Sequence, residues 1–249
     1  MASFKDFFSE QSADYARFRP RYPRALFMHI SSACSAHGLA WDCGTGNGQA
    51  ALALSSFFQR VIGTDASENQ LKQAEGHPKV SYRLAKAEQS GLDSHSADLI
   101  TVAQAFHWFD AELFFSEVKR VAKPGGVLAL WCYELCTISP KVDSVIFELY
   151  KEILGPFWDE ARRLVEDGYR NISVPFDEIP APKASMGLSW SFADLVGYLG
   201  TWSALQKARA QTGEDPRLLI IPKLQAAWGD LGSEKLVTWP IAVRMFRIG

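Results

Sequence analysis

The chain has 249 residues, of which 47% are hydrophobic and 22% are charged, and its formal net charge is −2; these values predict an ordinary globular protein with one α/β domain and an insertion or small cap. Since neither a basic run nor an apolar stretch of about 20 residues is present, no nucleic-acid or membrane partner is expected, and a small-molecule substrate is favoured. The four cysteines lack paired spacing and the N-terminus lacks an apolar signal region, so we expect a cytoplasmic protein without a metal site.

The first 38 residues are predicted to form an arm and a helix over a ligand site. Aromatic and basic side chains interleave from Phe4 to Tyr22, and Pro20 and Pro23 interrupt the chain there. A helix is predicted over Arg24–Ala36, because its apolar residues recur at helical spacing. This pattern is typical of a lid-like arm that precedes a packed helix.

A glycine-rich turn follows the first predicted strand. The apolar run from Leu39 ends at Asp42, three alternate glycines come next, and a helical pattern opens at Ala50. Glycines in such a turn permit positive φ and let a ligand lie against the backbone. A dinucleotide site would carry a third glycine where Gln49 stands, and the Asp42 carboxylate would repel a diphosphate but attract a cation. The turn therefore favours a cationic, phosphate-free ligand, with a turn that binds nothing as the alternative.

Residues 42–48, Asp-Cys-Gly-Thr-Gly-Asn-Gly, resemble the first motif of the class I S-adenosylmethionine-dependent methyltransferases. The resemblance implies an α/β fold, a doubly wound, mostly parallel, seven-stranded Rossmann-like sheet with an inserted cap. It implies S-adenosyl-L-methionine as the cofactor, with a core over residues 39–138 that binds it. The motif residues expected to contact the cofactor are Asp42, Gly44, Thr45, Gly46 and Gly48.

Residues 15–23 are similar to the arm that covers the cofactor in the trans-aconitate methyltransferase-like group. This similarity implies that Tyr15, Arg17 or Arg19 contacts the cofactor's carboxylate or closes the pocket. A solvated arm, held only by its own aromatic side chains, is the alternative for each of them.

The next two predicted strands each end beside a candidate cofactor ligand. Asp65 closes the strand Arg60–Asp65 and lies 23 residues after Asp42, near the offset at which a carboxylate accepts both ribose hydroxyls. Its alternative role is to cap the following helix, predicted from Ser67 to Glu75, and Ala66 is expected at the same site. A third strand is predicted over Val80–Leu84. In the resembled family the loop after it contacts adenine, which assigns that role to Ala87 and Glu88, unless this is an ordinary surface loop.

The loop after the fourth predicted strand, Ser96–Val102, is rich in aromatic residues. Ligands of open α/β sheets lie beyond the carboxyl ends of the strands, so Gln104, His107 and Trp108 are expected near the reacting end of the cofactor. An aromatic ring there could hold a sulfonium by a cation–π interaction of roughly 0.5–2 kcal/mol. His107 is a candidate general base, or else a hydrogen-bonding anchor.

Residues 112–133 contain a predicted helix, then Lys-Pro-Gly-Gly, then a predicted strand. This order also resembles the methyltransferase family. Beyond this segment, residues 139–203 are predicted to form a substrate cap, with helical patterns at Val142–Leu154 and Asp159–Glu166 and an irregular, partly extended piece at Asn171–Pro182. The aromatic residues that could line its acceptor pocket are Trp158, Tyr169, Trp190 and Trp202. Residues 204–249 are predicted to complete the core. Two helical regions, the first of which begins in the cap, precede an antiparallel last strand. The helical regions are Phe192–Ala210 and Leu218–Leu231, and the strand is Val237–Ile248.

The sequence favours methyl transfer by in-line displacement to a small acceptor, either a carboxylate, a hydroxyl or an amine. A carboxylate would need no base, and Arg17, Arg19 or Arg21 could neutralise it, whereas a hydroxyl would require His107 as a base. Two alternatives stay open: a nicotinamide-dependent oxidoreductase, and a non-catalytic module that binds S-adenosylmethionine or S-adenosylhomocysteine. The oligomeric state is not indicated.

Overall fold

The computed structural model describes residues 20–249, which form one mixed sheet with helices on both faces. The strands are β1 Leu39–Cys43, β2 Arg60–Asp65, β3 Val80–Leu84, β4 Ala97–Ala103, β5 Ala122–Tyr133, β6 Asp177–Ile179, β7 Ala184–Trp190 and β8 Lys235–Arg247. Their order is β3-β2-β1-β4-β5-β8, with both β6 and β7 paired to the outer side of β8. The first five strands are parallel, and β8 runs antiparallel to β5.

Helices connect these strands. They are α1 Arg24–Ser32, α2 Gln49–Leu54, α3 Glu68–Leu71, α4 Ala111–Val121, α5 Pro140–Phe147, α6 Arg162–Glu166, α7 Phe192–Gly200, α8 Ser203–Thr212 and α9 Ile221–Trp228. Side-chain caps explain where several begin: Asp110 accepts from the Leu113 amide at the start of α4, and Ser191 and Asp194 form a capping box on α7. In residues 20–249 no helix combines the length and apolar character that crossing a bilayer requires.

The sheet is buried on both faces, as the doubly wound fold predicts. On one face, Trp131 packs with Phe27 and Tyr22 from the α1 region. On the other face, Trp41 packs with Phe114 of α4. Side chains of alternate residues enter opposite layers, and fully burying each large one contributes about 1.5–3 kcal/mol. The carboxyl ends of β1 to β4 therefore lie together at one edge of a rigid sheet.

The structure confirms the doubly wound, mostly parallel sheet but corrects the predicted strand number. The described residues contain eight strands rather than seven, because β6 and β7 extend the sheet beyond β8. Both lie in residues 139–203, the predicted cap, in which a partly extended piece was predicted over Asn171–Pro182 but no strand at β7. Most residues of β7 are exposed or half-buried and include Gly187, so its apolar alternation is too weak to mark a strand.

Two predicted helical regions are also divided in the structure. The region Phe192–Ala210 forms α7 and α8, because Trp202 adopts an extended conformation between them. The pattern Val142–Leu154 begins as α5 and continues as a π-helix over Glu148–Ile153. Leu218–Leu231 likewise contains a 3-10 turn before α9.

Candidate functional site

The glycine turn connects β1 to α2 at the carboxyl edge of the sheet. Gly44, Gly46 and Gly48 have φ values of 67°, 56° and 85°, all in the left-handed region. A Cβ on Gly44 would lie 2.5 Å from the Cβ of Ala105, and one on Gly48 would overlap the ring of Tyr82. A Cβ on Gly46 would have no neighbour closer than 3.8 Å. Protein packing thus requires glycine at the outer two positions, whereas Gly46 presents the open face.

Asp42 lies beneath this turn and has no solvent-exposed surface. Its two carboxylate oxygens accept hydrogen bonds from the hydroxyls of Thr45, at 2.6 Å, and Thr101, at 2.7 Å. Burial raises the pKa of Asp42 to about 6, although both hydroxyls act in the opposite direction. The carboxylate therefore shapes the turn and contributes a buried charge below it.

Asp65 ends β2 directly beside the turn. One oxygen accepts the Gly46 amide at 2.8 Å, and the other accepts the Ser67 amide at 2.9 Å. The residue that caps α3 is Ser67, whose hydroxyl accepts from the Gln70 amide. These two backbone contacts position the Asp65 carboxylate beside the turn. Ala66, the next residue, is half-buried at the same edge.

The loop after β3 is fastened to the loop after β4. Ala87 is buried, and the half-buried Glu88 accepts the backbone amide of Asp110 at 3.0 Å. Both predicted adenine-loop residues therefore lie along the same edge as the glycine turn. The hydrogen bond to Asp110 also uses one Glu88 oxygen, which the sequence did not indicate.

Gln104 turns the chain sharply at the end of β4. It has a φ of 55°, which is uncommon for a residue other than glycine. Its amide donates to the carbonyl of Trp131, and its side-chain oxygen accepts the amide of Tyr133 at 2.8 Å. These bonds to β5 fix the start of the aromatic loop.

His107 is held by Tyr169 from the other side of the site. The His107 Nδ1 lies 3.0 Å from the Tyr169 hydroxyl, and Tyr169 is fully buried with a φ of 59°. Burial, with a contribution from the charge of Arg162, lowers the pKa of His107 to about 3. Burial also raises the pKa of Tyr169 well above 10, so its hydroxyl is protonated at neutral pH. A hydrogen bond from this hydroxyl to Nδ1 would place the imidazole proton on Nε2.

Trp108 borders a cleft between the loop after β4 and the cap. The cleft is small and open to solvent, and it is lined by Trp108, Phe157, Asp159, Ser203 and Lys207. Trp108 is 42% exposed, so its ring remains accessible from this side.

The aromatic residues predicted to line the acceptor pocket take different positions. Tyr169 contacts His107, whereas Trp158 and Trp202 pack against Tyr150 near the cleft. Trp190 instead packs edge-on against Trp239 within the core. Tyr15, Arg17 and Arg19 lie outside the described residues.

Sequence reasoning missed several residues that build the site. Thr101 lies opposite Asp42 in the β1–β4 register, so a strand alignment could have identified it. Tyr82 of β3 packs on the glycine turn, and Arg162 lies near His107. No local pattern marks either of them.

Comparisons with known proteins agree with this arrangement. A family model described as a methyltransferase domain matches residues 41–130. A Dictyostelium discoideum protein named as a methyltransferase is 39% identical over 204 residues, which cover 80% of this chain and 78% of the relative. An uncharacterized methyltransferase of Schizosaccharomyces pombe is 31% identical over 88% of this chain and 89% of its own length. The solved structure of an Anaeromyxobacter dehalogenans protein named as a type II methyltransferase superimposes with a TM-score of 0.87 at 47% identity, covering 93% of this chain and 98% of that one.

Proposed function

Since this chain belongs to the class I S-adenosylmethionine-dependent methyltransferases, we propose that its acceptor is a small molecule bound between the aromatic loop and the cap. S-adenosyl-L-methionine is the cofactor, and it supplies an electrophilic methyl group on a sulfonium. The protein's task is then to align donor and acceptor in line and to exclude water. The family membership argues against a nicotinamide-dependent oxidoreductase.

The aromatic loop carries this proposal. Trp108 is 42% exposed in the loop after β4, which meets the cap at a small cleft. His107 of the same loop is hydrogen-bonded to Tyr169, which lies in the residues predicted to form the cap. Together with the family membership, this arrangement favours an enzyme with a small acceptor over a non-catalytic binding module.

On the cofactor side, we assign contacts to residues along the carboxyl edge of β1 to β4. The open face of Gly46 fits a ligand lying against the backbone, and Asp65 beside it is our candidate for the ribose hydroxyls. Glu88 and Ala87 are assigned to the adenine, and Trp108 to the sulfonium. The further assigned positions are Tyr15, Arg19, Asp42, Gly44, Thr45, Gly48, Ala66 and Gln104.

His107 is assigned a hydrogen-bonding role at the reacting end. With a pKa of about 3 its imidazole is neutral at pH 7, and such a weak base is poorly matched to removing a hydroxyl proton. The Nε2–H group can instead donate a hydrogen bond to the acceptor. This favours acceptors that need no deprotonation, a carboxylate or a neutral amine, over a hydroxyl.

A screen with radiolabelled S-adenosyl-L-methionine and a panel of small carboxylic acids, phenols and amines tests the proposal. We expect label transfer to an acid or an amine, and no transfer that depends on NAD(H). Tight S-adenosylhomocysteine binding with no methylation of any acceptor class would contradict the small-molecule assignment. Four free, buried cysteines support a reducing, cytoplasmic setting, which localisation of the tagged protein would test.

A further inference from the structure

Arg162, at the start of α6, is a half-buried arginine without a carboxylate partner. Within residues 20–249 no Asp or Glu oxygen lies within 4.0 Å of its guanidinium. Its Nε donates to the Tyr150 hydroxyl at 3.3 Å. In that same part of the chain the two terminal nitrogens have no acceptor, and neither is sealed from solvent. Of the five guanidinium N–H groups, the four on the terminal nitrogens are thus left for a ligand or water.

The guanidinium is held in place by an aromatic platform. Its carbon lies 5.1 Å from the Trp158 ring centre and 5.9 Å from that of Tyr150. The Trp158 indole donates to the Tyr150 carbonyl, and the Tyr150 hydroxyl donates to Glu166 at 2.6 Å. Glu166 thus takes the tyrosine hydrogen rather than pairing with the arginine. Cation–π contact and a fixed side chain prepare Arg162 to bind without further ordering.

The position of Arg162 places its charge near the reacting end of the site. Helix α6 packs against the 3-10 turn Phe106–Trp108, and the charge of Arg162 acts on both His107 and Tyr169. Lys207 lines the cleft beside Trp108, and it has no ion-pair partner in the described part of the chain. The cleft's Asp159 directs one oxygen to its own loop, accepting the Ala161 amide.

Two other half-buried arginines of the described residues are neutralised, since Arg244 binds Glu178 and Arg217 binds Asp215. Arg247 has no ion pair there either, but it donates to the Gly125 carbonyl. Arg162, held against aromatic rings with its terminal nitrogens open, is placed to bind an anionic group. Guanidinium groups match planar oxyanions through paired hydrogen bonds.

We propose that Arg162 binds an oxyanion of the methyl acceptor, a carboxylate or a phosphate, and so selects anionic small molecules. This inference rests on the proposed function, because it names the chemical class of the same acceptor. It assigns to the cap a positive anchor that is separate from the cofactor residues on β1 to β3. Lys207 adds to the positive potential at the cleft mouth.

Calorimetry on the protein loaded with S-adenosylhomocysteine tests this assignment. The probes are small carboxylic acids, each paired with its primary amide, and phosphate monoesters, each paired with its alcohol. We expect at least one anion to bind tenfold or more tightly than its neutral partner, and the better class identifies the oxyanion. Arg162→Gln should abolish that preference and leave the neutral partner's affinity unchanged. Arg163→Gln is the matched control, because Arg163 is exposed and pairs with Glu160.

Arg162→Lys keeps the positive charge but lacks the planar guanidinium, so it should lose part of the preference for the anion over its neutral partner. This variant also tests the proposal if Arg162→Gln fails to fold. S-adenosylhomocysteine affinity reports the folding of each variant. The proposal is overturned if no anion binds better than its neutral partner, or if the preference survives undiminished in folded Arg162→Gln or Arg162→Lys. Methylation of neutral acceptors alone would preserve the proposed function and reject the anion site.

Discussion

Replacing Asp42 by Asn should stabilise the protein at neutral and alkaline pH. The buried carboxyl group has a folded-state pKa of about 6, against an ordinary value of 3.8. A rise of about two pKa units corresponds to about 3 kcal/mol, which the folded state loses when this group is ionised. Because the folded protein binds the proton more tightly than the unfolded chain, stability should fall as pH rises from about 4 to about 6 and then level off.

The variant removes the charge while keeping the shape of the side chain. It should lack the stability loss between pH 4 and 6, match the wild type near pH 4, and exceed it at pH 8 by about 2–3 kcal/mol. Urea unfolding followed by tryptophan fluorescence at five pH values from 4 to 8 measures this difference. For a chain of this length, the same gain corresponds to a rise in Tm of roughly 4–12 °C.

Asp98 is a control residue, because its ionised carboxylate should stabilise the folded protein where that of Asp42 destabilises it. Burial pushes its pKa upward, but hydrogen bonds from Lys123 and from the Leu39 and Gly38 amides outweigh burial and leave the pKa lowered. Asp98→Asn should therefore destabilise the protein above pH 4. The reasoning is refuted if Asp42→Asn also lowers stability at pH 8, or if the stability of the wild type does not decline between pH 4 and 6. Either result would show that ionisation of Asp42 does not destabilise the folded protein.

Two further predictions concern the site itself. Asp65→Asn should weaken S-adenosylhomocysteine binding at least tenfold by calorimetry, because the amide offers fewer acceptor sites to the ribose; unchanged affinity would reject the assignment. Tyr169→Phe should release Nδ1 of His107, lower kcat about tenfold with a smaller change in KM, and show mixed imidazole tautomers by nitrogen NMR. Wild-type turnover should show no inflection near pH 6.5, and one that disappears in His107→Gln would contradict the neutral role.

The cofactor half of the fold could be predicted because its signals are local. Each of the strands β1 to β4 is a short run bounded by a change of pattern, and the acids Asp42 and Asp65 close the first two. The parallel order then brings their ends to one edge. Spacing in the glycine turn indicated the ligand type, but not that Gly44 and Gly48 serve packing while Gly46 faces open space.

The acceptor half was less predictable because its contacts join distant parts of the chain. The hydrogen bond from Tyr169 to His107 spans 62 residues, and Thr101 reaches Asp42 across 59. Neither pairing produces a periodic pattern in the sequence. For the same reason the sequence did not indicate that two hydroxyls hold Asp42 below the turn.

A buried negative charge that reduces stability should have a measurable effect on ligand selection. The donor carries a positive sulfur and its demethylated product does not, so Asp42 should favour the donor, more strongly in a low-dielectric site than in water. Asp42→Asn should then shift the ratio of the two Kd values severalfold toward S-adenosylhomocysteine. Asp98→Asn makes the same charge change near the opposite edge of the sheet, where β4 begins, and should leave the ratio unchanged. Equal ratios of the two Kd values in all three proteins would show that Asp42 supports only the backbone of the turn and does not act on the charge of the ligand.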